Sequence, residues 1–141
     1  MIDLLTDMLI QHEGIRLDLY ECPAGKKTIG VGRNLEDNGI SLDEAVYLLE
    51  SDIARVEREL QTFSFWRELN DARTAALCDM LFNLVLPRFQ KFKKMLTALH
   101  AQDYTEAANQ MLKSKWAGQV GKRAETLAYM VATGEECSRP T

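Results

Sequence analysis

Leu4, Leu5, Met8 and Leu9 recur at i, i+1, i+4 and i+5, the apolar face of a short helix over residues 3–12 that stops at Gly14. From Arg16 to Gly32 the period shortens. Leu17 and Leu19 alternate with polar neighbours, Pro23-Ala24-Gly25 has turn chemistry, and Thr28, Ile29 and Val31 favour extended chain, which predicts a small antiparallel hairpin. Asn38-Gly39 marks a further turn. Ser41 with Glu44 three residues on is a capping box that opens a long helix to about residue 60, with Ala45, Leu48, Leu49, Ile53 and Val56 on its apolar face. The next helix starts near Asn70 or Asp71, carries Ala75, Ala76, Leu77, Met80, Leu81 and Leu84, and ends before Pro87. Further helices fit 89–100, 104–113 with Asp103 and Glu106 as a capping pair, and 120–133 closed by Gly134. No internal repeat or low-complexity linker interrupts the pattern.

Composition adds bounds to this pattern. With 46% hydrophobic and 27% charged positions, 141 residues suit one globular domain with a core of its own. The opening run MIDLLTDMLIQHEG has acids where a secretory leader has Lys or Arg, and no apolar run approaches the roughly 18 residues of a membrane span. Synthesis in a host cytoplasm without a signal peptide, and no stable membrane insertion, are therefore expected. Cys22, Cys78 and Cys137 are odd in number and lack metal-ligand spacing, so neither a disulfide framework nor a metal site is expected, and no cofactor. Cys78, in AALCDMLF, reads as a buried small apolar residue, and Cys137, in the polar tail, as an exposed thiol.

The net charge of −4 is unevenly spread: residues 1–60 hold 13 acids and 6 bases, residues 61–141 hold 8 acids and 11 bases. Two basic clusters dominate the second half, Arg88 with Lys91, Lys93 and Lys94, and Lys113 with Lys115, Lys122 and Arg123. A solvated helix face is the plainer reading of the first. Overall acidity and the lack of a reading motif disfavour nucleic acid as a partner, and an anionic glycan polymer suits such a face better.

Candidate chemistry concentrates in HEGIRLDLYECPAGKKTIGVGR, where Glu13 precedes Cys22 by nine residues and Cys22 precedes Thr28 by six. Gly14, Arg16, Leu17, Tyr20, Gly25 and the string Thr28-Ile29-Gly30-Val31-Gly32 stand around them. This run resembles the catalytic segment of bacteriophage-type lysozymes, endolysin muramidases that cut peptidoglycan. Their pattern is a glutamate, then after eight residues an aspartate or occasionally a cysteine, then after five more a threonine. A weaker likeness continues through Gly39-Ile40-Ser41 and Asp52, through Ala76-Leu77 to Phe82-Asn83, and through Ser114-Lys115-Trp116 to Gln119 and Arg123, covering about residues 1–134. It implies an α+β, predominantly helical, lysozyme-like fold. A hairpin lobe of about 14–40 would join a helical lobe of about 41–134 that includes the N-terminal helix 3–12, within a single domain 1–141. Only seven residues separate Arg33 from Ser41 where longer relatives insert sheet or loop, so the small lobe should be reduced.

Glycoside hydrolysis needs an acid for the departing oxygen and a group across the sugar that handles water or attacks the anomeric carbon. Glu13 ends its helix, where the negative end of the dipole opposes a carboxylate charge, which suits the proton donor. Cys22 stands at the aspartate position; an ordinary thiol is mainly neutral near pH 7, so a working water-holder and a turn cysteine without a role both stay open. Thr28 can orient the attacking water, which favours an inverting displacement, or can serve β propensity alone. The resemblance implies that Arg123 approaches the catalytic glutamate, that Phe82 and Asn83 line the cleft, and that Arg33 and Asp52 form a stabilising pair. Trp116 reads as core before it reads as a glycan platform.

The expected activity is cleavage of the β-1,4 bond between N-acetylmuramic acid and N-acetylglucosamine, by a monomer that reaches the wall through a membrane pore or on a particle. The alternative is a non-catalytic wall-binding module descended from a lysozyme. A cysteine-nucleophile hydrolase is the least supported, because only His12 and His100 could serve as its base.

Overall fold

The computed structural model describes residues 2–137, which form two compact units dividing between Leu48 and Leu49. Among the described residues no helix is long and apolar enough to cross a membrane. The first unit opens with α1 (Ile2–Glu13), followed by β1 (Arg16–Glu21), β2 (Lys27–Gly30) and β3 (Arg33–Asn34) in an antiparallel sheet of order β1-β2-β3. Thr28 lies opposite Tyr20 on one side and Asn34 on the other, so the expected hairpin is extended by a short third strand. A single turn, α2 (Leu35–Asn38), was not expected. Asn34 caps it by accepting from the Asp37 amide, and four residues are too few for periodicity to reveal.

The capping box forms as its sequence requires. The Glu44 amide donates to Ser41 Oγ at 3.1 Å and the Ser41 amide to Glu44 Oε1 at 2.8 Å, opening α3 (Leu42–Leu60).

The second unit holds the rest of α3, a 3-10 turn at Ser64–Glu68, α4 (Asp71–Leu84), α5 (Leu86–Phe89), α6 (Lys93–His100), α7 (Tyr104–Leu112), α8 (Lys115–Val120) and α9 (Lys122–Thr133). Two expected helices begin later than their pattern suggested, at Lys93 and Lys122, each preceded by a short separate helix. Phe92 leaves helical geometry at ψ 59 and separates α5 from α6, while Gly121 separates α8 from α9. Asn70 and Asp103 cap α4 and α7, accepting from the Arg73 and Glu106 amides.

The core lies in this unit, around Phe89, Leu77, Met80, Leu81, Met95, Leu99, Met111 and Val131. Ala107 and Ala108 of α7, and Ala124 and Ala128 of α9, are buried, and these two helices pack against each other. Arg73 of α4 ties down the end of α9. Its guanidinium donates to the Val131 and Ala132 carbonyls at 2.8 and 3.2 Å and lies over the Tyr104 ring at 3.8 Å.

Candidate active site

In the first unit Glu13 is the last residue of α1. Gly14 follows at φ +73, and its amide closes the helix on the Ile10 carbonyl at 2.8 Å. The Glu13 side chain lies against the backbone of Gly32. A Cβ added there would stand 2.7 Å from Glu13 Oε2 and 2.8 Å from its Cδ, and φ at Gly32 is +62. Glycine is thus required at 32 twice, by backbone angle and by the carboxyl resting on it.

Cys22 begins the tight turn between β1 and β2. Its amide donates to the Lys26 carbonyl at 2.9 Å, and its carbonyl accepts from the Gly25 amide at 2.8 Å. The Lys26 backbone N–H, then that of Ala24, then the Thr28 hydroxyl hold the half-buried thiol below its ordinary value. Thr28 is buried on β2, at 2% exposure, and its hydroxyl donates to the Lys26 carbonyl at 2.8 Å. With that proton on the Lys26 carbonyl, the hydroxyl oxygen lone pairs stay able to accept. The turn is braced from α2, where Glu36 accepts from the Lys27 amide at 3.0 Å and Asp37 lies 3.4 Å from Lys26 Nζ.

Arg33 corrects one expectation. Its guanidinium meets Glu44 in a fork, at 3.0 and 2.7 Å, and also donates to the Gly39 carbonyl. Asp52 pairs with Arg55 one turn along α3. The short connection after Arg33 brings the start of α3 within its reach, so the nearest carboxylate is the one in the capping box. Arg33 holds the Glu44 carboxyl down to about 2, with the Ser41 amide and hydroxyl adding to the effect.

In the second unit Phe82 and Arg123 line one groove of about 540 Å³ together with Ile53, Asp79 and Cys78. Arg123 is held there by Asp79, Nε to Oδ1 at 2.8 Å. Asn83 does not line that groove; its side-chain oxygen accepts from Trp116 Nε1 at 2.8 Å. Trp116 is buried, as its core reading requires. Cys78 is half-buried against the core, where burial and then Glu57 push its thiol up to about 11. Cys137 is also half-buried, where an exposed thiol was expected. The sequence reading gave no role to Gly32 or Asp79. The Thr28-Ile29-Gly30-Val31-Gly32 string was the available signal for the first, and nothing local marks the second.

The chain belongs to the phage lysozyme family, a family of lysozyme-type peptidoglycan hydrolases: the phage lysozyme family model matches residues 10–129. Among its relatives is an endolysin of Acyrthosiphon pisum secondary endosymbiont phage 1, 32% identical over 82% of this chain and 80% of that protein. A probable T4-type lysozyme of Dictyostelium discoideum is 26% identical over 95% and 96% of the two chains. The pre-baseplate central spike protein Gp5 of Enterobacteria phage T4 is 30% identical over 92% of this chain, which spans only 28% of that protein's length.

Proposed function

We propose that the protein cleaves the β-1,4 bond between N-acetylmuramic acid and N-acetylglucosamine in peptidoglycan, with inversion at the anomeric carbon. Glu13 gives its proton to the departing glycosidic oxygen. A water accepted by Cys22 and Thr28 attacks the anomeric carbon and loses its proton to the Cys22 thiolate, and both groups then exchange protons with solvent. The observation that carries this reading is the Cys22 turn. The backbone N–H groups of Lys26 and then Ala24 lower the Cys22 thiol from its ordinary value, which favours the thiolate that the proposed water step uses. Phe82 and Arg123 would contact the glycan from their groove, and Asn83 through its amide nitrogen, its oxygen being engaged by Trp116. The protein would act as a monomer at the cell wall, reached through a pore made by another protein or by carriage on a particle.

A zymogram on purified peptidoglycan tests this reading with Glu13→Gln as the paired variant. The folded variant should lose most clearing, since general acid catalysis contributes about 10²–10⁴-fold. Clearing equal to wild type would falsify the mechanism, and retention of the anomeric configuration in the first product would overturn inversion.

A further inference from the structure

The second unit carries a groove that the hydrolytic reading does not use. It has a volume of about 570 Å³ and lies among α5, α6 and α8. Five cations border it, Arg88, Lys91, Lys93, Lys94 and Lys115, and no carboxylate lines it. Among the described residues none of the five has an acid within ion-pair distance; the recorded pairs use Lys26, Arg33, Arg55 and Arg123. Asp103 and Glu106 border a second hollow, which Lys93, Lys94 and Gln110 also line. There Asp103 is committed to capping α7 and Glu106 accepts from Gln110 at 2.6 Å.

In a chain whose net charge is −4, so many unpaired cations around one concavity repel one another. An anion would relieve that repulsion. The first turn of α6, without an acid or a side-chain cap, borders the same groove and adds the positive end of its dipole. The floor is apolar rather than charged. Phe92 meets the buried Trp116 edge to face at 6.3 Å, with Met95 and Leu84 beneath. Separated anionic groups around an apolar floor describe a chain with charges along its length and C–H faces between them, as in an anionic glycan.

We propose that this groove is a second binding site, for an anionic glycan polymer, which holds the protein on the wall independently of the site at Glu13. The choice of a glycan rests on the wall-hydrolase reading; the requirement for a polyanion does not. The volume lies within the range of specific ligand sites and far exceeds that of one small anion. Exposed cations bind through screened attraction, so affinity must fall as salt rises.

Dextran sulfate is the probe, with neutral dextran and a single-stranded oligonucleotide of matched charge beside it, each titrated into the intact protein across a salt series. The expected result is salt-sensitive binding of dextran sulfate, little binding of dextran, and weaker binding of the oligonucleotide. Lys91→Gln/Lys93→Gln/Lys94→Gln should weaken dextran sulfate binding about tenfold, whereas Arg55→Gln/Arg58→Gln/Arg67→Gln, which removes equal charge elsewhere, should change it less than about twofold. Lys115→Gln, on a different helix, provides a milder second variant that should shift affinity in the same direction. Equal affinity in the two triple variants would overturn the groove, and equal binding of the oligonucleotide would overturn the glycan assignment. Dextran sulfate has no muramic acid linkage to cut, so a wild-type protein that binds it but fails to clear peptidoglycan removes the enzymatic reading and leaves the groove standing.

Discussion

Gly32 shows how a residue without a side chain can govern one that has chemistry. Alanine there must displace a carboxyl that now comes within 2.7 Å of where its methyl would stand, and must adopt φ +62 as well. Gly32→Ala should lower lytic turnover about 10²-fold, because a misplacement of about 1 Å can have that effect, while the protein remains folded by circular dichroism. Unchanged turnover would mean that Glu13 needs no fixed seat. Cys22 makes a separate prediction through pH. If the thiolate is the working form, clearing should rise with pH through a midpoint below the ordinary thiol value of about 8.5, since the turn amides hold this thiol down. In Cys22→Asp that ascending limb should vanish, along with sensitivity to a thiol reagent. A midpoint at or above 8.5 in the wild type would argue against the thiolate. The turn that holds Cys22 was legible in the sequence because Pro23-Ala24-Gly25 has turn chemistry, whereas the roles proposed for Glu13, Cys22 and Thr28 come from the resemblance of the whole run. The seat at Gly32 was marked only by its place in the Thr28–Gly32 string, since its contact with the end of α1 joins residues 19 apart.

At the scale of the element, the capping box of α3 also serves as an anchor for β3. Glu44 accepts from Ser41 and from both ends of the Arg33 guanidinium, and its carboxyl is held at about 2. A depressed carboxylate contributes stability that is present above the unfolded value of about 4.3 and is lost as pH falls through the folded value. Wild type should therefore lose stability between about pH 5 and pH 2 more steeply than Glu44→Gln, read as thermal midpoints across that range. Parallel curves for the two proteins would show that the fork is too solvated to matter. Caps were the most legible elements. Ser41, Asn70 and Asp103 all act as their spacing predicts, since a cap bonds within three residues. The partner of Arg33 was misread because a pairing 11 residues away depends on how far the connection folds back. The starts of α6 and α9 were placed four and two residues early because apolar residues at Phe89, Phe92 and Val120 continue the pattern ahead of them.

For the molecule as a whole, the helical core of the second unit was largely readable from periodicity: Ala76, Leu77, Met80, Leu81 and Leu84 are buried on α4, while Ala75, read with them, is exposed. Leu81→Ala should cost about 2–5 kcal/mol through lost transfer energy and the cavity left behind. For a chain of this size that corresponds to a thermal midpoint roughly 10 °C lower. A drop of only a degree or two would mean that α4 can collapse into the space. What periodicity could not reveal is the polar fastening around that core, Trp116 to Asn83 and Arg73 to the end of α9, whose partners are separated by 33 to 59 residues.

The Arg73 fastening also orders events in time. The carbonyls it requires belong to Val131 and Ala132, 58 and 59 residues further along the chain. At ordinary rates of synthesis, roughly 5–20 residues per second, they are made about 3–12 s after the arginine. Throughout that interval α4 exists without the helix it is to fasten. The second unit can close only near the completion of α9, so the growing chain must keep its apolar α4 face out of trouble until the last helix arrives.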